Sequence, residues 1–205
     1  KLGMNLDKNY LKKYENLSCI ISPTTGLTHI DLKYCKKKKI KIINLKSSDK
    51  EVKKINATAE FNLILILCSI RKPHNYFDLT KKKIWNRYYY EFNQFDKYLI
   101  GIVGQGRIGK KLKKYLNLLN FKVRIYDKKK HERNVLDKLL KQSDVITFNI
   151  NYDEKNFNFL NNKILNKCKK NVKIINTSRG EIIDEISLIK FLKKNKSAEA
   201  YLDCI

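Results

Sequence analysis

The chain has 205 residues, with 45 Lys and Arg against 20 Asp and Glu, giving a formal net charge of +25. Hydrophobic residues make up 42% and aromatics 11%, which excludes a disordered polar tail; seven Gly and two Pro exclude a collagen-like or linker chain. The basic excess points at first to nucleic acid or an anionic membrane. Only six of the basic residues are Arg, however, and the Lys run through the whole chain beside abundant Ile and Asn, all residues of A/T-rich codons. Genome composition accounts for the charge at least as well as a phosphate-binding surface, so neither a nucleic-acid nor a membrane partner is expected.

The longest strongly apolar run, residues 63–68 with Ser69 and Ile70 behind it, falls far short of the ~20 residues that span a bilayer. The first residues contain no hydrophobic signal core, which points to the cytoplasm, and the chain does not begin with Met. Cys19, Cys35, Cys68, Cys168 and Cys204 show no CxxC pairing or metal-type clustering and read as buried, reduced thiols.

In chain order, residues 1–75 read as part of an α/β unit. A polar amphipathic stretch to Asn16 precedes an apolar strand, LSCIIS, and a loop, PTTG. A short helical pattern from Ile30 to Lys36 and a second strand, IKIINL, follow. After a charged loop, KSSDKEVKK, the segment ATAEFNLILILCSIRK reads as a helix that Pro73 ends. It is apolar almost all round, which predicts burial on more than one side, between domains or subunits. The basic and aromatic KKKIWNRYYYEFNQF then reads as packing or oligomer contact.

From Tyr98 to the end, strand-like runs at YLIGIV, FKVRIY, DVITFNI, VKIINTS and AEAYLDCI alternate with helical segments, the pattern of a parallel sheet. Ile108, Leu112, Tyr115, Leu116 and Leu119 fall on one face of the first of these helices, with Lys110, Lys111, Lys113 and Lys114 opposite. The expected fold is a Rossmann-type, doubly wound α/β domain over residues 76–205, with a smaller α/β unit before it.

Two motifs carry chemistry. In GQGRIG, Gly104, Gly106 and Gly109 follow a strand and open a helix. The first Gly makes the turn, the second admits a pyrophosphate to the backbone, and the third lets helix and strand pack closely. The next strand ends in IYD, placing Asp127 about twenty residues on, where an acid accepts from the adenosine ribose and disfavours a 2′-phosphate. NAD is therefore the expected cofactor. In INTSRGEIID, Arg179 follows a strand at its carboxyl end, where open α/β sheets bind ligands, and its planar fork suits a carboxylate. Taken alone, Arg179 reads better as a surface residue of a turn.

In their order, ISPTTGLTHIDL, ATAEF, WNRYYYEF, GQGRIG with IYD, INTSRGEIID and AYLD resemble the D-isomer-specific 2-hydroxyacid dehydrogenases, a family that includes phosphoglycerate-dehydrogenase-like enzymes. The resemblance runs almost end to end. It implies a partial, flavodoxin-like substrate domain over residues 1–75 ending in an interdomain helix, and an NAD domain over 76–205. It also implies NAD-dependent interconversion of a D-2-hydroxy acid and a 2-oxo acid by a homodimer. Arg179 falls on the catalytic Arg, and Thr25 and Gly26 on the loop that holds the substrate carboxylate. Arg107 and Ile108 fall under the pyrophosphate, Thr177 on the nicotinamide side, and Asp203 near the carboxamide. Asn151 falls on a cofactor-contacting position that is usually Pro in the family.

The family completes its site with a Glu and a His in a PH motif, both of which would lie beyond Ile205. His29, His74 and His131 read as structural or exposed. On this resemblance the chain is a fragment, expected to show little turnover by itself. The alternative is a non-catalytic NAD(H)-binding regulator or a truncated pseudoenzyme. No metal site is expected.

Overall fold

The apolar pattern changes period from about two to about 3.6 along the chain, and the elements follow it. The structure is a computed structural model, and it describes residues 4–46, 48–86 and 92–204. The chain divides into two compact units, Lys1–Ile55 and Asn56–Ile205.

The first unit contains α1 (Lys8–Leu11), β1 (Cys19–Ser22), α2 (Leu32–Lys37), β2 (Lys41–Asn44) and α3 (Lys50–Lys54). Asp7 and Asp31 cap α1 and α2, accepting the N–H groups of Tyr10 and Tyr34 at 2.8 Å. Strands β1 and β2 pair in parallel, Ile20 opposite Ile42. Leu11, Ile20, Ile30, Cys35 and Ile40 form the core of this unit. The segment expected as a charged loop contains α3, which buries Val52.

The second unit begins with α4 (Ala57–Arg71) and α5 (Pro73–Lys81). Lys72 takes a left-handed conformation between them (φ 49), and Pro73 opens α5 as well as closing off α4, because its fixed φ suits a first helical turn. Five strands then alternate with helices: β3 (Leu99–Val103), α6 (Arg107–Leu118), β4 (Lys122–Tyr126), α7 (Arg133–Gln142), β5 (Val145–Phe148), α8 (Asn162–Leu165), β6 (Lys173–Asn176), α9 (Glu185–Lys194) and β7 (Glu199–Leu202).

The sheet is parallel throughout, in the order β4-β3-β5-β6-β7. Successive strand residues feed opposite faces. Ile100, Ile102, Val145 and Ile175 pack under Ile66 and Ile70 of α4 and Leu112 and Leu116 of α6. Val103, Ile146, Phe148 and Ile174 pack under Leu136, Leu139 and Leu140 of α7, Ile164 and Leu165 of α8, and Leu188 and Phe191 of α9. Each of these apolar side chains contributes about 1.5–3 kcal/mol by burial. This is the doubly wound α/β architecture that the alternating pattern implies.

The break between units falls after Ile55, ahead of the 75/76 boundary expected from the sequence. The reason is α4, whose packing against α6, β6 and β7 makes it part of the second unit. Its burial also differs from an all-round apolar helix. One stripe is enclosed (Ala59, Asn62, Ile66, Ser69, Ile70), while Phe61 and Ile64 remain 41% and 51% exposed. Of the aromatic segment, Trp85 is 90% exposed, and residues 87–91 lie outside the described residues. Among the described residues no helix is long and apolar enough to cross a membrane, and no group of three or more His, Cys, Asp or Glu could hold a metal ion.

Candidate functional site

The connection from β3 crosses through α6 to β4, and the chain then returns past β3 to β5. The connections leaving the paired carboxyl ends of β3 and β5 therefore run in opposite directions, and ligands enter open α/β sheets at such a switch point. A cleft of about 490 Å³ lies there, lined by Gly104, Gln105 and Gly106 from the β3–α6 turn and by Lys110 of α6. Tyr126, Asp127, Lys128, Lys129 and Lys130 line it after β4, and Asn149, Ile150, Asn151, Asp153, Asn156 and Phe159 after β5.

Two of the three glycines of the turn have a steric reason, and the third is left open. Gly104 has φ +104, a conformation that L side chains rarely adopt, and a Cβ there would lie 2.5 Å from Asn149 O. A Cβ on Gly109 would lie 2.1 Å from Gly104 O, so α6 approaches its own turn too closely for any side chain. At Gly106 a Cβ would meet nothing within 4 Å. Packing does not require glycine at that position. Its bare backbone faces open space at the α6 N-terminus, where first-turn N–H groups and the helix dipole favour a phosphate. The turn thus fits a dinucleotide pyrophosphate.

Asp127, half-buried at the end of β4, accepts the Gln105 N–H at 2.8 Å through one carboxylate oxygen and the Lys129 N–H at 3.0 Å through the other. The Gln105 N–H above all, with burial opposing it, holds the carboxyl below the usual carboxylate range. His131 turns back to accept the Asp127 N–H at Nδ1, 2.9 Å away. A carboxylate oxygen has a second lone pair, so Asp127 can still accept from a ribose hydroxyl.

At the carboxyl end of β6, Asn176 is fully buried and organises the turn that leaves the strand. Its Oδ1 accepts the Ser178 N–H at 3.1 Å, and its Nδ2 donates to Arg179 O at 2.8 Å. Its backbone carbonyl accepts the Asp203 N–H at 3.0 Å. The Ser178 hydroxyl donates to Phe148 O at the end of β5. Arg179 is half-buried and extended (φ −151), and its Nη1 donates to Ser178 O at 2.7 Å. Asp203 is exposed.

Of the residues expected from the sequence, Gly104, Gly106, Asp127 and Asn151 meet in the cleft. Asn151 is exposed, and its carbonyl accepts from Asn156 Nδ2 at 2.8 Å. Arg107 and Ile108 start α6, and Gly109 is buried beneath the turn. Thr177, Arg179 and Asp203 gather around Asn176, outside the residues that line the cleft. Thr25 and Gly26 belong to the first unit, in a loop where Thr24 Oγ1 donates to Gly26 O at 2.7 Å and shares a 2.8 Å hydrogen bond with Ser22 Oγ.

Sequence reasoning missed Asn62, Thr147 and Asn149, which connect to Thr177 in a buried cluster. An amide inside an otherwise apolar helix was the available signal for Asn62. A larger groove of about 990 Å³ lies in the first unit between α1 and α2. Lys8, Lys12, Lys33, Lys37 and Lys38 rim it, it holds none of the expected residues, and it reads as a solvated lysine face.

Residues 63–205 match the family profile of the D-isomer specific 2-hydroxyacid dehydrogenase NAD binding domain, and residues 2–61 that of the catalytic domain of the same enzymes. A glyoxylate reductase of Thermofilum pendens is 29% identical over 97% of this chain and 61% of its own length. The structure of Aquifex aeolicus D-lactate dehydrogenase, complexed with NAD and lactic acid, superposes with a TM-score of 0.84. It is 27% identical, over 98% of this chain and 62% of that one. An acyclic imino acid reductase in complex with NADPH and D-Arg superposes at 0.83 with 26% identity, over 98% of this chain and 66% of that one. The chain spans less than two thirds of the length of the curated relatives it matches. Matched by both domains of the family, in order and over nearly all its residues, the chain belongs to the D-isomer specific 2-hydroxyacid dehydrogenases.

Proposed function

We propose that the whole protein interconverts a D-2-hydroxy acid and a 2-oxo acid with NAD(H). The observation that carries this reading is the open backbone at Gly106, beside a turn locked by Gln105 N–H to Asp127. When bound, NAD(H) supplies or takes up the hydride. The chain's own residues bind and orient. The turn N–H groups and α6 receive the pyrophosphate over Gly104, Gly106, Arg107, Ile108 and Gly109, and Asp127 accepts from the ribose hydroxyls. Asn151, Thr177 and Asp203 serve the nicotinamide half.

Arg179 clamps the substrate carboxylate and polarises the 2-oxo group, for which its half-buried fork is suited. In the first unit, Thr25 and Gly26 are assigned to substrate binding through their backbone N–H groups; neither donates a hydrogen bond among the described residues. The substrate proton is assigned to none of the three histidines. His131 Nδ1 is engaged by Asp127 N–H, His74 is exposed on α5, and His29 lies 3.5 Å from Ser22 Oγ.

The names of the relatives support 2-oxo acids as the substrate class. The exposed Phe61 and Ile64 on α4 support a homodimer, and five free thiols suit a reducing compartment such as the cytoplasm. The test has two parts. NADH fluorescence titration of this chain should saturate, and the full-length protein should oxidise NADH with at least one of glyoxylate, pyruvate or hydroxypyruvate. Binding without turnover across a broad 2-oxo acid panel would favour a regulator, and no binding would overturn the reading.

A further inference from the structure

Helix α4 is apolar along most of its length, yet the stripe it buries contains Asn62, fully enclosed between Ala59 and Ile66. A buried amide is unfavourable unless its hydrogen-bonding groups find partners. Asn62 finds three, all at the carboxyl-terminal ends of β5 and β6. Its Nδ2 lies 2.8 Å from Thr147 Oγ1, 2.9 Å from Thr177 Oγ1 and 3.2 Å from Asn149 Oδ1. Thr147 Oγ1 is 3.0 Å from Asn62 Oδ1, and Asn149 Nδ2 is 3.1 Å from Thr147 Oγ1.

The amide nitrogen has two protons for three acceptors, and counting donors selects an arrangement. The Thr147 hydroxyl donates to Asn62 Oδ1, and Asn149 Nδ2 donates to Thr147 Oγ1. Asn62 then gives its two protons to Asn149 Oδ1 and Thr177 Oγ1. The ring closes with Asn62, Asn149 and Thr147 each both donating and accepting. Thr177 only accepts. Its own hydroxyl proton is not used within the cluster, and it is 7% exposed.

We infer that Asn62 is a positioning residue for the cofactor: from α4 it holds Asn149, which lines the cleft, and leaves the Thr177 hydroxyl as a hydrogen-bond donor at the end of β6. The ligand group it serves is a neutral acceptor, such as the carbonyl of an amide. A leucine would fill a purely structural place in this stripe, beside Ile66 and Ile70, without ordering any polar group. The inference rests on reading the cleft as an NAD(H) site, and the experiment separates the two.

NADH dissociation constants are measured by fluorescence for wild type, Asn62→Leu, Thr177→Val and the double variant, at a temperature where each is folded, with a thermal melt of each apo chain. Asn62→Leu should raise Kd about tenfold, the scale of one hydrogen bond and its positioning. Thr177→Val should do the same, and the double variant should lose no more than the larger single change, because one residue acts through the other. If Asn62→Leu does not fold, Asn62→Ser, which cannot reach Asn149 and Thr177 together, should show the same loss. A lowered melting point with unchanged Kd is the mark of a structural role and overturns the inference alone, as do additive losses. Failure of the wild-type chain to bind NADH overturns the cofactor reading, and the inference with it.

Discussion

Asp127 Oδ2 accepts the backbone N–H of Gln105 at 2.8 Å, so the residue assigned to the ribose also holds the glycine turn of the neighbouring strand. One carboxylate thus shapes two halves of the same cleft. Its removal acts on the turn geometry as well as on the ribose contact.

Asp127→Ala should therefore weaken NADH by about 1–3 kcal/mol, the scale of losing a charge-assisted partner, and also lower the melting point by leaving Gln105 N–H without its acceptor. NADPH should lose less, because the same change removes repulsion against a 2′-phosphate. Calorimetric titration of both cofactors checks this. Equal losses would leave Asp127 as a turn clamp only.

The pH dependence arises from the same hydrogen bonds. The folded Asp127 carboxyl is held below its unfolded value of about 3.9, chiefly by Gln105 N–H. Its contribution to stability is full above that unfolded value and is lost as pH falls through the lower folded one. Asp127→Asn should be less stable than wild type by a constant margin at pH values above the ordinary carboxylate range, and the margin should shrink as pH falls through the lower folded value. Urea titrations at several pH values measure the margin.

Gly106 and Gly109 should separate binding from stability. Gly109→Ala drives a methyl against Gly104 O, a backbone atom, and overpacking of this kind costs about 1–3 kcal/mol. Gly106→Ala meets no neighbour and should melt within roughly 1 °C of wild type, since surface changes without a structural mechanism are near neutral. It should nonetheless lose NADH affinity about tenfold or more, because its methyl occupies the space offered to the pyrophosphate. Thermal melts and NADH titrations of the two variants should give opposite rankings.

Arg179→Met in the full-length protein should lower kcat/KM for its 2-oxo acid by about 10²–10³, the loss typical of one electrophilic donor. NADH affinity should hardly move, because Arg179 is assigned to the substrate carboxylate and not to the cofactor. Arg179→Lys keeps the charge and loses the planar fork, and should recover only part of the rate. Steady-state kinetics with parallel NADH titration distinguish a substrate role from a cofactor role.

Phe61 and Ile64 should mediate self-association. Sedimentation velocity at micromolar concentration should give a dimer for the full-length protein, and Phe61→Asp with Ile64→Asp should shift it to monomer without lowering NADH affinity. A wild-type monomer would contradict the assembly.

The doubly wound sheet was legible in the sequence because each strand and helix carries its own period: Ile100 and Ile102 on one side of β3, and Leu112 and Leu116 on one face of α6. The glycine turn and Asp127 were legible for a similar reason, since their spacing along the chain fixes their meeting at neighbouring strand ends. Helix α4 was legible as a helix but not in its allegiance. An apolar segment records that it is buried and does not record against what, so the break at Ile55 emerges only from its packing on α6, β6 and β7. Asn62 marks the same boundary. The sequence shows an amide among aliphatic residues, but its partners Thr147, Asn149 and Thr177 are more than eighty positions away, and hydrogen-bond polarity exists only once the strands carrying them are side by side.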